Sequence, residues 1–117
     1  PEVTAFRFAL AASYNNLGSM LAASGSLKEA QTAYQSGLDL RAELAAAFPV
    51  LIDYRHDLAK SHNNLASLLT RLGDATAAGE HYRRGLLVQE KLVADFPSVP
   101  QYRHDLAVTH TNLGNLR

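Results

Sequence analysis

The sequence predicts an all-α protein, an array of antiparallel helix pairs with five long helices, and three observations carry that expectation. Residues 54–65, YRHDLAKSHNNL, return at 102–113 as YRHDLAVTHTNL, with nine of twelve positions identical. The same shift of 48 holds elsewhere. Laying residues 1–48 on 49–96 matches 18 positions, among them Arg7/Arg55, Asn16/Asn64, Gly25/Gly73, Tyr34/Tyr82 and Phe48/Phe96. Within each period, apolar residues recur at steps of three and four, the spacing of a single helix face. A fixed period of this length marks stacked supersecondary units rather than one globular core. The 117 residues therefore form a single array: repeat 1 at 1–48, repeat 2 at 49–96 and the front part of a third at 97–117. Because both ends fall at or inside a repeat, the expectation is a piece of a longer protein.

The first helix of each repeat carries Val3, Phe6, Leu10, Tyr14, Leu17 and Leu21 on one stripe. It recurs as Leu51, Tyr54, Leu58, His62, Leu65 and Leu69, then as Val99, Tyr102, Leu106, His110 and Leu113. Gly25 and Gly73 end the first two, since glycine accepts the left-handed conformation after a last helical turn. Ser26 with Glu29 then reads as a capping box, and Asp74 as the matching N-cap. The second helix follows through Leu27, Ala30, Tyr34, Leu38, Leu44 and Phe48, and in repeat 2 through Ala78, Tyr82, Leu86, Leu92, Val93 and Phe96. Pro49 and Pro97 stop it, because the residue before a proline disfavours the helical region. Helices are expected near 3–24, 27–47, 51–72, 75–95 and 99–116. Small residues at Gly18, Ala66 and Gly114, and at Ala30, Ala78, Gly37 and Gly85, mark close approach between helices. A mid-helix glycine costs about 1 kcal/mol against alanine, so its repetition at Gly37 and Gly85 points to packing.

Composition narrows the function classes. Eleven basic and eleven acidic residues cancel, so no long-range field draws in nucleic acid or an anionic membrane. The absence of cysteine removes disulfide and thiol chemistry and fits a reducing compartment. The longest apolar stretch, LAAAFPVLI, is short and broken by Pro49, and no signal peptide begins the chain. A cytoplasmic location is the expectation, with the parent protein setting it.

The run Tyr14-x-x-Leu17-Gly18-x-x-Leu21, then Ala30, Tyr34 and Gly37 in place of a usual alanine, resembles the tetratricopeptide repeat over the whole chain. There are departures. The usual repeat has about 34 residues, its first aromatic is here Tyr14, His62 or His110, and its closing proline comes later, at Pro49 and Pro97. The longer period adds roughly two turns to each helix. NNLG and NNLA, with a second helix ending in QEKLVADFP, are similar to the long repeats of kinesin light chains and of large bacterial multidomain proteins. The resemblance implies a right-handed solenoid whose first helices line a concave groove for extended peptides.

On that side stand Asn16, Asn64 and Asn112, well over 90° from the apolar stripe, where packing does not explain their recurrence. They resemble the asparagine ladder by which some of these proteins grip a peptide main chain. An amide offers one donor group and one acceptor, so it pairs with a peptide unit whatever its side chain. With rungs about 10 Å apart and a ligand rising about 3.3 Å per residue, three rungs span about seven to nine residues. The same face carries His56, Lys60, Ser67, Arg71, His104 and Asn115, and Lys60 with Arg71 would attract an acidic group. The alternative is a solvated or structural asparagine, with Asn15, Asn63 and Thr111 bonding neighbouring elements.

His62 and His110 take the place of Tyr14 and are expected packed. His56 and His104 are too far apart to share one metal ion at about 2 Å, so no metal and no cofactor is expected. No nucleophile stands near a base, and the chain reads as a non-enzyme. Arg7, Arg55 and Arg103 are expected to bury their stems and bridge to a neighbouring helix, and Glu80 to pair with Arg83 and Arg84. The expected partner is a protein or peptide segment, with neither nucleic acid nor membrane. The rival expectation is self-association through the apolar flanks of the end helices.

Overall fold

Glycine and proline punctuate the chain as their backbone preferences require. The computed structural model describes residues 2–116, and its helices are α1 (Glu2–Ala23), α2 (Leu27–Ala47), α3 (Ile52–Arg71), α4 (Ala75–Asp95) and α5 (Pro100–Asn115). Gly25 and Gly73 have φ of 85° and 86°. After α1, Ser26 N donates to Leu21 O at 2.9 Å and Gly25 N to Ala22 O at 3.1 Å; after α3, Asp74 N donates to Leu69 O and Gly73 N to Thr70 O. This paired arrangement satisfies the last carbonyls of each helix and turns the chain back on itself. Phe48 and Phe96 close α2 and α4 immediately before the prolines.

The two N-caps differ from the expected symmetry. Asp74 accepts from Ala77 N at 3.1 Å, but the Ser26 side chain makes no capping bond, so the box with Glu29 is not formed. Both residues have nearly the same backbone, φ −82° and ψ 68° against φ −99° and ψ 76°. The carboxylate is one bond longer than the hydroxyl and reaches the amide.

Each A helix (α1, α3) packs against its own B helix (α2, α4), and α2 and α4 pack in turn against the next A helix. Small residues set the approach. A Cβ on Gly18 would lie 2.5 Å from the Tyr34 ring, one on Gly37 3.1 Å from Ala11 O, and one on Gly85 2.8 Å from Asn63 Oδ1. The core gathers around α3: Tyr34, Leu38, Leu65, Leu69 and Tyr82 are buried together. Burying a leucine fully contributes about 1.5–3 kcal/mol.

Several expected contacts are absent, most of them because they need a neighbouring repeat. Of the stripe on α1, Val3, Phe6 and Leu17 are exposed, and α1 instead buries Ala11, Gly18 and Ala22 against α2. His62 is buried as expected, but His110 is exposed. Arg55 reaches Asp95 on α4 at 3.2 Å. Arg7 is exposed because the position equivalent to Asp95 is Ala47, and Arg103 is exposed with no B helix beyond α5 among the described residues. Glu80 does not pair with Arg83 or Arg84; among the described residues the ion pairs are Arg55–Asp95 and His56–Asp105. Arg83 turns instead toward Gly79.

Candidate functional site

The A helices are stitched to one another by side chains along the face that carries the recurring asparagines. From α3 toward α1, Asn64 Nδ2 donates to Asn15 Oδ1 at 3.0 Å, and Arg71 Nη1 donates to Ala22 O at 3.3 Å. From α3 toward α5, His56 Nε2 meets Asp105 Oδ2 at 3.1 Å, and Asn63 Nδ2 donates to Thr109 Oγ1 at 2.8 Å. Each bond contributes only about 1 kcal/mol net, but together they hold this polar face in one arrangement.

Two depressions open between these bonds. The larger, of about 300 Å³, is lined by His56, Lys60, Asn64 and His104 together with Gln89 and Asp105. The smaller, of about 100 Å³, is lined by Asn64, Ser67 and Arg71 beside Tyr34 and Ala22. Asn64 therefore borders both. Asn16 is exposed and Asn112 half-buried, and neither lines these depressions, nor does the exposed Asn115. Arg71 is spent partly on the carboxyl end of α1, where a cation is favoured by the helix dipole. Burial raises the Tyr82 phenol above its ordinary pKa, while the Thr70 and Ser67 hydroxyls work against that rise. Tyr34 OH and Ser19 Oγ, 3.0 Å apart, form the equivalent contact in repeat 1.

Two histidines form a pair of another kind. His62 Nδ1 and His81 Nδ1 lie 3.0 Å apart, so one ring donates and the other accepts, and both cannot carry a proton there. Burial, then His81 and Arg84, lowers the His62 pKa to about 4. Burial and Arg84 lower that of His81, against an opposing pull from Glu80. Among the described residues no group of three or more His, Asp or Glu is placed to hold a metal ion.

The comparison with known families follows the 48-residue register of the sequence, its two matches starting 48 residues apart. The tetratricopeptide repeat model matches residues 10–46 and 58–98. The chain belongs to the tetratricopeptide repeat family. No curated protein matches it significantly. Tetratricopeptide repeats generally mediate protein–protein interaction, and no helix among the described residues is long and apolar enough to cross a membrane.

Within this tetratricopeptide array, sequence reasoning passed over Arg41, Ser61, Gln89, Asp105 and Thr109. Arg41 is buried, and its Nη1 donates to Ser61 Oγ at 2.9 Å. Burial pulls the Arg41 pKa down while Asp57 pulls it up. A signal was present: Ser13, Ser61 and Thr109 place a hydroxyl at one point of an otherwise apolar stripe. His81 was passed over as well, although it replaces Ala33 where His62 replaces Tyr14.

Proposed function

We propose that the chain is a non-catalytic interaction module, one array of repeats 1–48, 49–96 and 97–117, that grips an extended segment of a partner protein along the face of α1, α3 and α5. The observation that carries this reading is Asn64, which borders both depressions between the A helices. Its Nδ2 is held by Asn15, which orients the amide, and its Oδ1 accepts no hydrogen bond from the described residues. A ligand main-chain N–H is the natural donor for it. Asn16 and Asn112 would add the flanking rungs, His56, Lys60 and His104 would contact side chains at one depression, and Ser67 and Arg71 at the other, with Asn115 beyond. No cofactor, nucleic acid or membrane enters this function.

The test is calorimetric titration of a peptide selected from a random library on this chain. Joint Asn16→Ala, Asn64→Ala and Asn112→Ala substitution is expected to leave the helical circular dichroism intact and weaken binding by about tenfold, the effect of about 1.4 kcal/mol. Equal binding by the variant would remove the ladder.

A second reading has its own support. Phe6 and Met20 are 66% and 70% exposed on α1, and Leu17, 44% exposed, lies on the same side of that helix. Self-association through this flank would cover these apolar side chains. Sedimentation mass rising with concentration in the wild type, and not in Phe6→Glu, would favour this reading over the module.

A further inference from the structure

The two junctions between successive repeats are built from equivalent positions, but a cation present at the first is missing from the second. At the first, the Arg41 guanidinium is buried between α2 and α3, with Nη1 donating to Ser61 Oγ at 2.9 Å and to Asp57 O at 3.4 Å. A shift of 48 carries Arg41 onto Gln89, Ser61 onto Thr109 and Asp57 onto Asp105. The hydroxyl and the carbonyl recur and the donor does not: Thr109 Oγ1 instead accepts from Asn63 Nδ2 at 2.8 Å and donates to Asp105 O at 3.1 Å, so the acceptors left open at the second junction are side-chain ones.

Gln89 is 4% exposed, and its Oε1 has no hydrogen-bond partner. Its side chain is shorter than arginine, and it borders the cavity of about 300 Å³ that opens onto the A-helix face. Asp105 borders the same cavity. Its Oδ1 accepts from Gln101 Nε2 at 2.8 Å and its Oδ2 meets His56 Nε2 at 3.1 Å, and each carboxylate oxygen has room for a second donor.

We infer that this cavity receives an arginine side chain of the partner segment, whose guanidinium would bring to the second junction the cation that Arg41 supplies at the first, bonded there to Gln89 Oε1 and the Asp105 carboxylate. The inference rests on the reading of the A-helix face as a peptide groove. A guanidinium brings five donors in a flat fork, enough to reach both Gln89 Oε1 and the Asp105 carboxylate. A lysine ammonium is a compact point charge without that fork. A glutamate would set its carboxylate against that of Asp105, and the Asn63 and Gln101 amides of the lining already donate to Thr109 and to Asp105. Lys60 is exposed, so salt and solvent screen its repulsion of an incoming cation.

The probe is N-acetyl-arginine N-methylamide, titrated into the isotope-labelled chain by NMR beside the lysine, glutamate and alanine analogues. The arginine probe is expected to shift the Gln89 side-chain amide and the backbone amides of Asp105 and Thr109, and to bind about fivefold or more tightly than the others. Gln89→Arg rebuilds the first junction in the second and is expected to weaken the probe by about tenfold while preserving the fold. Gln89→Met, which removes the acceptor at similar length, is expected to weaken it too and stands in if the arginine variant misfolds. Equal shifts from all four probes, tightest binding by glutamate, or undiminished arginine binding in both variants would overturn the assignment. Library peptides that bind through the asparagines but lack arginine, and bind Gln89→Arg undiminished, would keep the groove and overturn the subsite. Arginine binding that depends on Gln89, in a chain that selects no peptide, would overturn the groove and keep the chemistry of the cavity.

Discussion

Helices α1 and α3 carry the same apolar stripe at the same spacing and meet opposite fates. Leu17 is 44% exposed while its counterpart Leu65 is 1% exposed, and Met20 is 70% exposed where Leu68 is 2%. The difference is α2, which lies against the outer stripe of α3, while no described helix covers that of α1. An apolar stripe in a repeat array therefore states which face can be buried. A neighbour determines whether it is.

The sharpest way to break this comparison is to truncate the matched leucines. Leu65→Ala removes a fully buried side chain from the middle of the core and is expected to lower unfolding free energy by about 3 kcal/mol. Leu17→Ala should cost only about 1 kcal/mol, because 44% of that residue's surface remains in water and its removal leaves no enclosed cavity. Urea unfolding of the two variants measures both, and equal losses would mean that the α1 flank is covered in solution.

A second difference between the repeats lies in Tyr14 with Ala33 against His62 with His81. His62 stays neutral in the folded chain down to about pH 4, whereas the unfolded chain takes up its proton near pH 6.5. The unfolded state thus binds more protons between those values, and stability rises with pH across that window. The His62 contribution is complete above about pH 6.5 and fades as pH falls toward 4. The site lies near enough to solvent to be partly screened, so the expected loss is about 1–2 kcal/mol. Copying repeat 1 with His62→Tyr and His81→Ala together should flatten the thermal unfolding profile between pH 7 and pH 4.5. A profile as steep as that of the wild type would place the acid sensitivity elsewhere.

The smallest expected effect separates the two helix caps. Asp74→Ala should cost about 1 kcal/mol, and Ser26→Ala no more than a few tenths, because only the aspartate makes a capping bond. Chemical unfolding with closely matched baselines resolves the two. Equal losses would mean that Ser26 Oγ caps α2 in solution.

Much of the fold is legible because local rules and the period agree. Gly25, Gly73, Pro49 and Pro97 bound the helices to within one residue of the expected ends, and Gly37 and Gly85 fall where the neighbouring helix leaves little room for a Cβ. The candidate site was legible only in part. His56, Lys60, Asn64 and His104 were read onto one face from helical spacing and come together around one depression. Arg41 and Gln89 were invisible as a contrast, since one substitution in a B helix says nothing until its neighbours Ser61, Thr109 and Asp105 are known. The exposure of His110, Arg7 and Arg103 was likewise hidden, because periodicity assigns every repeat the same surroundings.

The period, the helix limits, the apolar stripes and the neutral charge follow from the order of residues, since each depends on backbone preference or on spacing along one helix. Which stripes are buried, which arginine finds an acid, which asparagine is already bonded and where a junction leaves an unpaired amide depend on pairs of residues from different helices. Those pairs form across distances of 16 to 49 positions along the chain, and only the packing of one repeat on the next brings them within reach.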